Sequence, residues 1–152
     1  MKIPNKVIVC GKEIPVKFVD VIYYTKDGDM HITTGEYDSL CNQIELAKTL
    51  KIIRGKRLSV DTIETRVSVD TFYHELFHCI CFNVLGDTDI NSEANAQTFA
   101  SIISDLTRKG YLFCDLLKNA FEIFKTIVTD ISEQDYRRLE YAITNTLLKF
   151  ED

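Results

Sequence analysis

The sequence predicts an α+β fold in which an N-terminal antiparallel β-sheet is followed by four helices. Up to residue 57, short β-branched and aromatic runs alternate with glycine-containing turns, which is typical of strands and hairpins. After residue 57, apolar residues recur at the three- and four-residue spacing of helices. The 152 residues can bury the core of one domain, so we expect a single domain that is mainly β over 1–57 and mainly α over 58–152.

The strand signals are ordered along the first third of the chain. Gly11-Lys12-Glu13 predicts a hairpin turn, and Pro15 favours an edge position in the second strand of that hairpin. Lys26-Asp27-Gly28-Asp29 is a second turn signal. The strands predicted on these grounds are residues 7–10, 14–21 with an extension through 22–24, 30–34 and 43–47.

A His-Glu-x-x-His sequence, His74-Glu75-Leu76-Phe77-His78, lies inside an apolar run. Residues four apart on a helix share one face, with Cβ atoms about 5 to 6 Å apart, so the two imidazoles can meet at one ion. Glu75 flanks that ion and can take a proton from a water molecule bound to it. This pattern predicts a catalytic zinc site in a hydrolase, most simply a peptidase.

The residues around the motif predict a buried helix. Residues 71–85 contain neither Gly nor Pro, and Gly86 stands where a left-handed C-terminal cap is expected. The start of the helix is open: Ser59 or Asp61 could begin a long helix, or Ser68 could cap a shorter one after an extended stretch. Two histidines and a glutamate are costly to bury without partners, and a shared metal ion would satisfy all three.

Glu93 is the expected third zinc ligand. It opens a stretch with a helical apolar stripe, and the preceding turn lets this second helix fold back beside the first. Other residues could also ligate, although each has an ordinary structural interpretation as a turn or N-cap residue, a buried hydrophobic residue or a strand residue. These alternatives are Asp87, Asp89, Cys79, Cys81 and His31.

Two more helices are expected at the C-terminal end. One spans 111–124 after Gly110, and the other begins at Ser132 with acidic residues in its first turn. The apolar stripe of the last helix is Leu139, Ala142, Ile143, Thr146, Leu147 and Phe150. These helices could cover the core, form a partner surface or close over the cleft.

Charge and cysteine content narrow the function classes. Residues 1–57 carry ten basic and seven acidic side chains, whereas residues 58–152 carry eight and sixteen, so nucleic-acid binding is not favoured. A basic cluster is expected to be a solvated loop, since no aromatic platform accompanies it; it comprises Lys48, Lys51, Arg54, Lys56 and Arg57. The chain has five cysteines, and because this number is odd, a framework of disulfides is not expected. We expect free thiols in a reducing compartment.

The N-terminal residues lack the apolar segment of a secretion signal, and no run of about 18 uncharged apolar residues occurs. We therefore expect a cytoplasmic protein that does not enter a membrane. The sequence leaves its oligomeric state open.

Residues 71–78, followed by Glu93-x-x-Ala96-x-x-Phe99-Ala100, resemble the ImmA/IrrE-type zinc metallopeptidases, especially short single-domain forms from phages and prophages. A weaker likeness covers Gly35-Glu36-Tyr37-Asp38 and 43–46. The resemblance implies a small zincin-like domain in which His74, His78 and Glu93 bind zinc and Glu75 is the general base. It also implies that one of the two later predicted strands, 30–34 or 43–47, holds the substrate backbone by strand addition. SprT-like peptidases share the motif but usually carry further histidines or a zinc ribbon.

These observations predict a zinc-dependent endopeptidase that acts on an intracellular protein, in the host cytoplasm if the chain is phage-encoded. Tyr23, Tyr24 and Tyr37 are candidates for oxyanion stabilisation, with strand packing as the alternative role. The competing hypothesis is an interaction protein that keeps the zincin scaffold without catalysis and inhibits a host or repressor protein.

Overall fold

The computed structural model describes residues 2–54, 57–63, 65–111 and 113–151. It is an α+β structure with a mostly antiparallel N-terminal sheet and four helices. The strands are β1 Lys6–Val9, β2 Lys12–Val19, β3 Ile22–Lys26, β4 Asp29–Thr33, β5 Gly35–Asp38, β6 Gln43–Ala47, β7 Thr49–Arg54, β8 Arg57–Thr62 and β9 Leu147–Lys149. The helices are α1 Thr65–Leu85, α2 Glu93–Arg108, α3 Phe113–Ile127 and α4 Glu133–Thr144.

The main sheet has five strands in the order β5-β6-β2-β1-β9. Its pairs are antiparallel except β2 with β6, where Val16 to Val19 run parallel to Ile44 to Ala47. The expectation of antiparallel pairing was therefore wrong for this pair. The chain leaves the sheet after β2 through the β3–β4 hairpin and returns through β5, so β6 enters in the same direction as β2.

Pro15 was expected at a sheet edge, but β2 lies inside the sheet. The proline is nevertheless compatible with this position, because β6 pairs only from Val16 onward and the missing N–H of Pro15 leaves no bond to β6 unmade. On the other side, Pro15 lies opposite Lys6 of β1.

Helix α1 begins at Thr65, so neither expected starting point was right. Residues 57–62 form a strand that pairs with β7, and the helix starts directly beyond it. The basic cluster was expected to be a solvated loop, but Lys51, Arg54 and Arg57 belong to the paired strands β7 and β8. Lys56 lies outside the described residues. Gly86 ends α1 with a positive φ of 74°, which confirms the expected left-handed cap.

The core lies between α1, the inner face of the sheet and the other helices. Phe77 of α1 contacts Phe99 of α2 and Phe124 of α3, with ring centroids 5.3 and 5.4 Å apart. α1 is buried on several sides, as its sequence predicts; its fully or nearly fully buried side chains include Phe72, Tyr73, Leu76, Cys79, Ile80 and Cys81. The α1–α2 packing confirms that the second helix folds back on the first.

The last helix is shorter than its apolar stripe predicts. α4 ends at Thr144, and residues 147–149 form β9, which pairs with β1 at the far edge of the sheet. The Asn145 side chain donates to the carbonyl of Tyr141, and the Thr146 hydroxyl donates to that of Ala142. These side chains bind the last carbonyl groups of the helix and allow the chain to leave it.

Four cysteines are free thiols, namely Cys10, Cys41, Cys79 and Cys81. The side chain of Cys114 is not among those that the structure describes. Among the helices that the structure describes, none combines the length and apolarity needed to cross a membrane.

Candidate metal centre and cleft

The structure brings His74, His78 and Glu93 to one point. Nε2 of His74 lies 2.9 Å from Oε2 of Glu93, and Nε2 of His78 lies 3.1 Å from Oε1 of the same carboxylate. The two imidazole Nε2 atoms are 3.2 Å apart. The three predicted ligands therefore form a group that could hold a metal ion.

Local structure explains this convergence. His74 and His78 occupy successive turns on one face of α1, and Ser92 caps α2 by accepting a hydrogen bond from the backbone N–H of Asn95 at 3.1 Å. The cap starts the helix at Glu93, whose side chain points back towards α1 and meets both histidines. The negative charge of Glu93 also suits the N-terminal end of the α2 dipole.

The spacing of the donor atoms is near that of a tetrahedral zinc site, with His74 and His78 contacting different oxygens of Glu93. Zinc binds imidazole nitrogen and carboxylate oxygen at about 2.0 to 2.2 Å, so a tetrahedral site separates its donors by about 3.3 to 3.6 Å. The observed separations of 2.9 to 3.2 Å are a few tenths of an ångström shorter. A small outward movement of each donor would admit the ion.

The hydrogen bonding of His78 adds a second argument for a cation. Its Nδ1 lies 2.6 Å from the amide oxygen of Asn91, so Nδ1 carries the proton and donates it. In the neutral ring Nε2 then presents a lone pair, as do the oxygens of Glu93. Lone pairs at this distance repel unless a proton or a metal ion lies between them.

Glu75 is held beside this group, almost completely buried against strand β5. Its carboxylate accepts a hydrogen bond from the backbone N–H of Tyr37, and burial raises its pKa to about 8. The negative charges of Glu93 and Glu36 contribute to this rise in pKa, whereas the hydrogen bond from the Tyr37 N–H opposes it. A carboxyl group with this pKa can take and release a proton near neutral pH.

The close approach of β5 to α1 depends on Gly35. A Cβ atom at this position would overlap with Cγ2 of Thr71 and lie 3.2 Å from Cγ of Glu75. The hydroxyls of Thr71 and Thr34 also meet at 3.1 Å across the same contact. Gly35 therefore lets the strand lie against the helix at the position of the buried carboxylate.

An open cleft of about 930 Å³ gives solvent access to the site. Strand β5 and the end of β4 form one side, α1 forms the floor, and the α1–α2 turn forms the other side. Its lining includes all four predicted site residues, His74, Glu75, His78 and Glu93. A fourth metal position on this side would face the cleft.

Among the described residues, the metal-binding group includes none of the alternative ligands. Cys79 and Cys81 are fully buried, and burial raises the pKa of Cys79 to about 12, so its thiol stays protonated. Asp87 lines the cleft, while Asp89 lies in the exposed turn. His31 stacks on Tyr24 of the neighbouring strand, with ring centroids 5.3 Å apart.

The three candidate tyrosines differ in position. Tyr24 and Tyr37 line the cleft, whereas Tyr23 is not part of the lining. The Tyr37 hydroxyl donates to the side-chain oxygen of Asn42 at 2.6 Å and accepts from Asn83 at 3.0 Å. These two bonds give Tyr37 a structural role that joins the β5–β6 turn to α1.

Two features escaped the sequence reasoning. The predicted strand 43–47 is β6, which lies inside the main sheet, whereas the predicted strand 30–34 overlaps β4, whose end lines the cleft; β5, the edge strand of the main sheet beside the cleft, was not among the predicted strands. Asn91 was not identified as a partner of His78. An Asn one residue before an N-cap is typical of any turn, so the sequence carries no signal that distinguishes it.

Comparison with protein-family models, curated proteins and solved structures gave no match to this chain.

Proposed function

We propose that this protein is a zinc-dependent endopeptidase of zincin-like design, similar to the ImmA/IrrE-type enzymes. The observation that carries the proposal is the convergence of His74, His78 and Glu93 beside the buried Glu75 in an open cleft. Two imidazoles and one carboxylate form a donor set typical of hydrolytic zinc sites. When bound there, zinc would polarise the scissile carbonyl and acidify water.

Glu75 is the general base in this proposal. The carboxylate takes a proton from the attacking water and passes it to the amine that leaves when the peptide bond breaks. The hydrogen bond from the Tyr37 N–H fixes the direction of the carboxylate, and burial keeps bulk water from competing for it. Glu75 thus acts from a fixed position between helix and strand.

Strand β5 is the part of the sheet on which we expect the substrate backbone to lie. The Thr34 carbonyl accepts from the N–H of Ala47, so alternation along the strand turns the backbone groups of Gly35 and Tyr37 away from β6. The Tyr37 N–H donates to Glu75 and the Gly35 carbonyl accepts from the Thr33 hydroxyl, so the Gly35 N–H and the Tyr37 carbonyl are the groups with which we expect a substrate backbone to pair. This side of β5 borders the cleft. An extended peptide bound there would pass directly over the metal site.

The charge of the cleft favours peptides with basic side chains near the scissile bond. Glu36, Asp70 and Asp87 line it in addition to the site carboxylates, and its described lining contains neither Lys nor Arg. The three carboxylates stand on three different sides, namely β5, α1 and the α1–α2 turn. Their combined potential would attract a cationic peptide and repel an acidic one.

The test is hydrolysis of a peptide library by the zinc-loaded protein, read by mass spectrometry, with Glu75→Gln as the matched inactive variant. We expect cleavage by the wild type and a fall of about 10²- to 10⁴-fold in the variant, as for loss of a general base. Zinc-loaded wild type without hydrolysis of any library peptide would favour the non-catalytic interaction protein instead.

A further inference from the structure

We infer that Asn91 is a positioning residue that sets the tautomer and orientation of His78 for metal binding. Its side-chain oxygen lies 2.6 Å from Nδ1 of His78. Because an amide oxygen only accepts hydrogen bonds, Nδ1 must hold the proton. The lone pair of the neutral ring is then on Nε2, which is the atom that faces His74 and Glu93.

The opposite arrangement would oppose metal binding. If the amide nitrogen of Asn91 faced Nδ1, His78 would accept there and carry its proton on Nε2. A protonated Nε2 has no lone pair for a cation. The oxygen of Asn91 therefore favours the tautomer in which His78 can be a ligand.

Three hydrogen bonds fix the segment that carries Asn91. Its own backbone N–H donates to the carbonyl of Thr88 at 3.0 Å. On the other side, the side-chain N–H of Asn95 donates to the carbonyl of Ile90, also at 3.0 Å, and Ser92 caps α2. Asn91 is thus held in place before any metal arrives.

The same segment supplies the third ligand. Glu93 follows Asn91 by two residues and places Oε1 3.1 Å from Nε2 of His78, so the segment contacts both nitrogens of one imidazole. Loss of the Asn91 side chain would free the ring to rotate or to change tautomer while Glu93 stays in place. The predicted effect is on metal affinity, where loss of such an outer hydrogen bond typically costs about 10- to 100-fold.

This inference rests on the metal-binding part of the proposed function and not on hydrolysis. Zinc affinity would be measured by competition with a chromophoric chelator for wild type, Asn91→Leu and Asn91→Asp. The leucine removes the acceptor, whereas the aspartate keeps an oxygen at the same position. Gln97→Leu is the matched control, because Gln97 is an amide that lines the same cleft but bonds to Ser101.

We expect zinc to bind about 10- to 100-fold more weakly to Asn91→Leu, and within about threefold of the wild-type affinity to Asn91→Asp and Gln97→Leu. Thermal unfolding of the metal-free variants checks that each is folded. Wild-type affinity in a folded Asn91→Leu would overturn the inference.

A second measurement does not depend on any variant. ¹⁵N NMR of the imidazole nitrogens of metal-free wild type, at a pH where the His78 ring is neutral, should show the proton of His78 on Nδ1. Protonation mainly at Nε2 would overturn the inference even if Asn91→Leu failed to fold. Wild type that binds no zinc would overturn the proposed function, whereas the NMR result would still report separately on the contact between Asn91 and His78.

Discussion

Oε2 of Glu93 lies 2.9 Å from Nε2 of His74, although nineteen positions separate the two residues. The other oxygen of the same carboxylate meets His78. One side chain from the start of α2 thus joins two turns of α1. This relationship depends on the reversal of the chain after Gly86 and on the Ser92 cap, which together place Glu93 at the first position of its helix.

The raised pKa of Glu75 predicts a dependence of stability on pH in the metal-free protein. Its pKa is about 8 in the folded protein, against an ordinary value of 4.5. Between these values the unfolded chain releases the proton and the folded protein retains it, so stability falls as pH rises and levels off above about pH 8. Glu75→Gln has no carboxyl group at this position and lacks this pH dependence. Its free energy of unfolding relative to that of wild type should therefore increase from pH 5 to pH 8.

Urea unfolding of both proteins with a chelator present measures this difference. The chelator matters because a bound cation would lower the pKa of the neighbouring carboxyl. Titrating groups that do not interact with Glu75 are common to the two proteins and cancel in the comparison, whereas Glu93 and Glu36 are coupled to Glu75 and belong to the measured difference. The same stability difference at pH 5 and pH 8 would show that Glu75 is not held in its neutral form.

Gly35→Ala should destabilise the protein by about 1 to 3 kcal/mol, the usual cost of overpacking. The added methyl group would overlap with Cγ2 of Thr71 and press on Glu75. Thr71→Ser removes Cγ2 but retains the hydroxyl that bonds to Thr34. Chemical denaturation should therefore show that the double variant recovers part of the lost stability, and strictly additive effects would argue against this contact.

Asp87 and Asp89 offer a test of the ligand assignment. Both belong to the same turn as Asn91, yet neither joins the group around His74 and His78. We expect Asp87→Asn and Asp89→Asn to bind zinc as wild type does, while Glu93→Gln loses at least about tenfold in affinity. Isothermal titration with zinc measures this, and weak binding by either aspartate variant would reassign the third ligand.

The negative cleft predicts a preference for basic peptides. Matched peptides that differ only in Arg or Glu beside the scissile bond should differ in kcat/KM in favour of Arg, and added salt should reduce the difference because it screens charge. Asp70→Asn should narrow the preference, since Asp70 lies one helical turn before His74. Equal rates for the two peptides in wild type would remove the electrostatic argument for substrate choice.

The sequence predicted the local parts of this structure well. The histidine helix, its glycine cap and the returning α2 follow from periodicity and capping signals that lie within a few residues of one another. Glu93 could be predicted as the third ligand because a helix that folds back must bring its first residue near the preceding helix.

The parts that escaped prediction depend on long-range pairing. Leu147 and Leu148 have apolar side chains that also fit a helix, and pairing with the free edge of β1 makes residues 147–149 a strand. The parallel pairing of β2 with β6 and the edge position of β5 are set by strand order, which periodicity does not encode. The contact of Asn91 with His78 could not be predicted, because it depends on the position of the α1–α2 turn beside the His78 ring.

The zinc content of the purified protein, measured by elemental mass spectrometry, tests the proposed metal site itself. Wild type, Glu75→Gln, His74→Ala and Glu93→Ala would be compared after purification without chelator. The proposed site predicts about one zinc per chain in wild type and Glu75→Gln and much less in the other two. Wild type without metal would contradict the zinc site itself, and full zinc in Glu93→Ala would contradict the choice of third ligand.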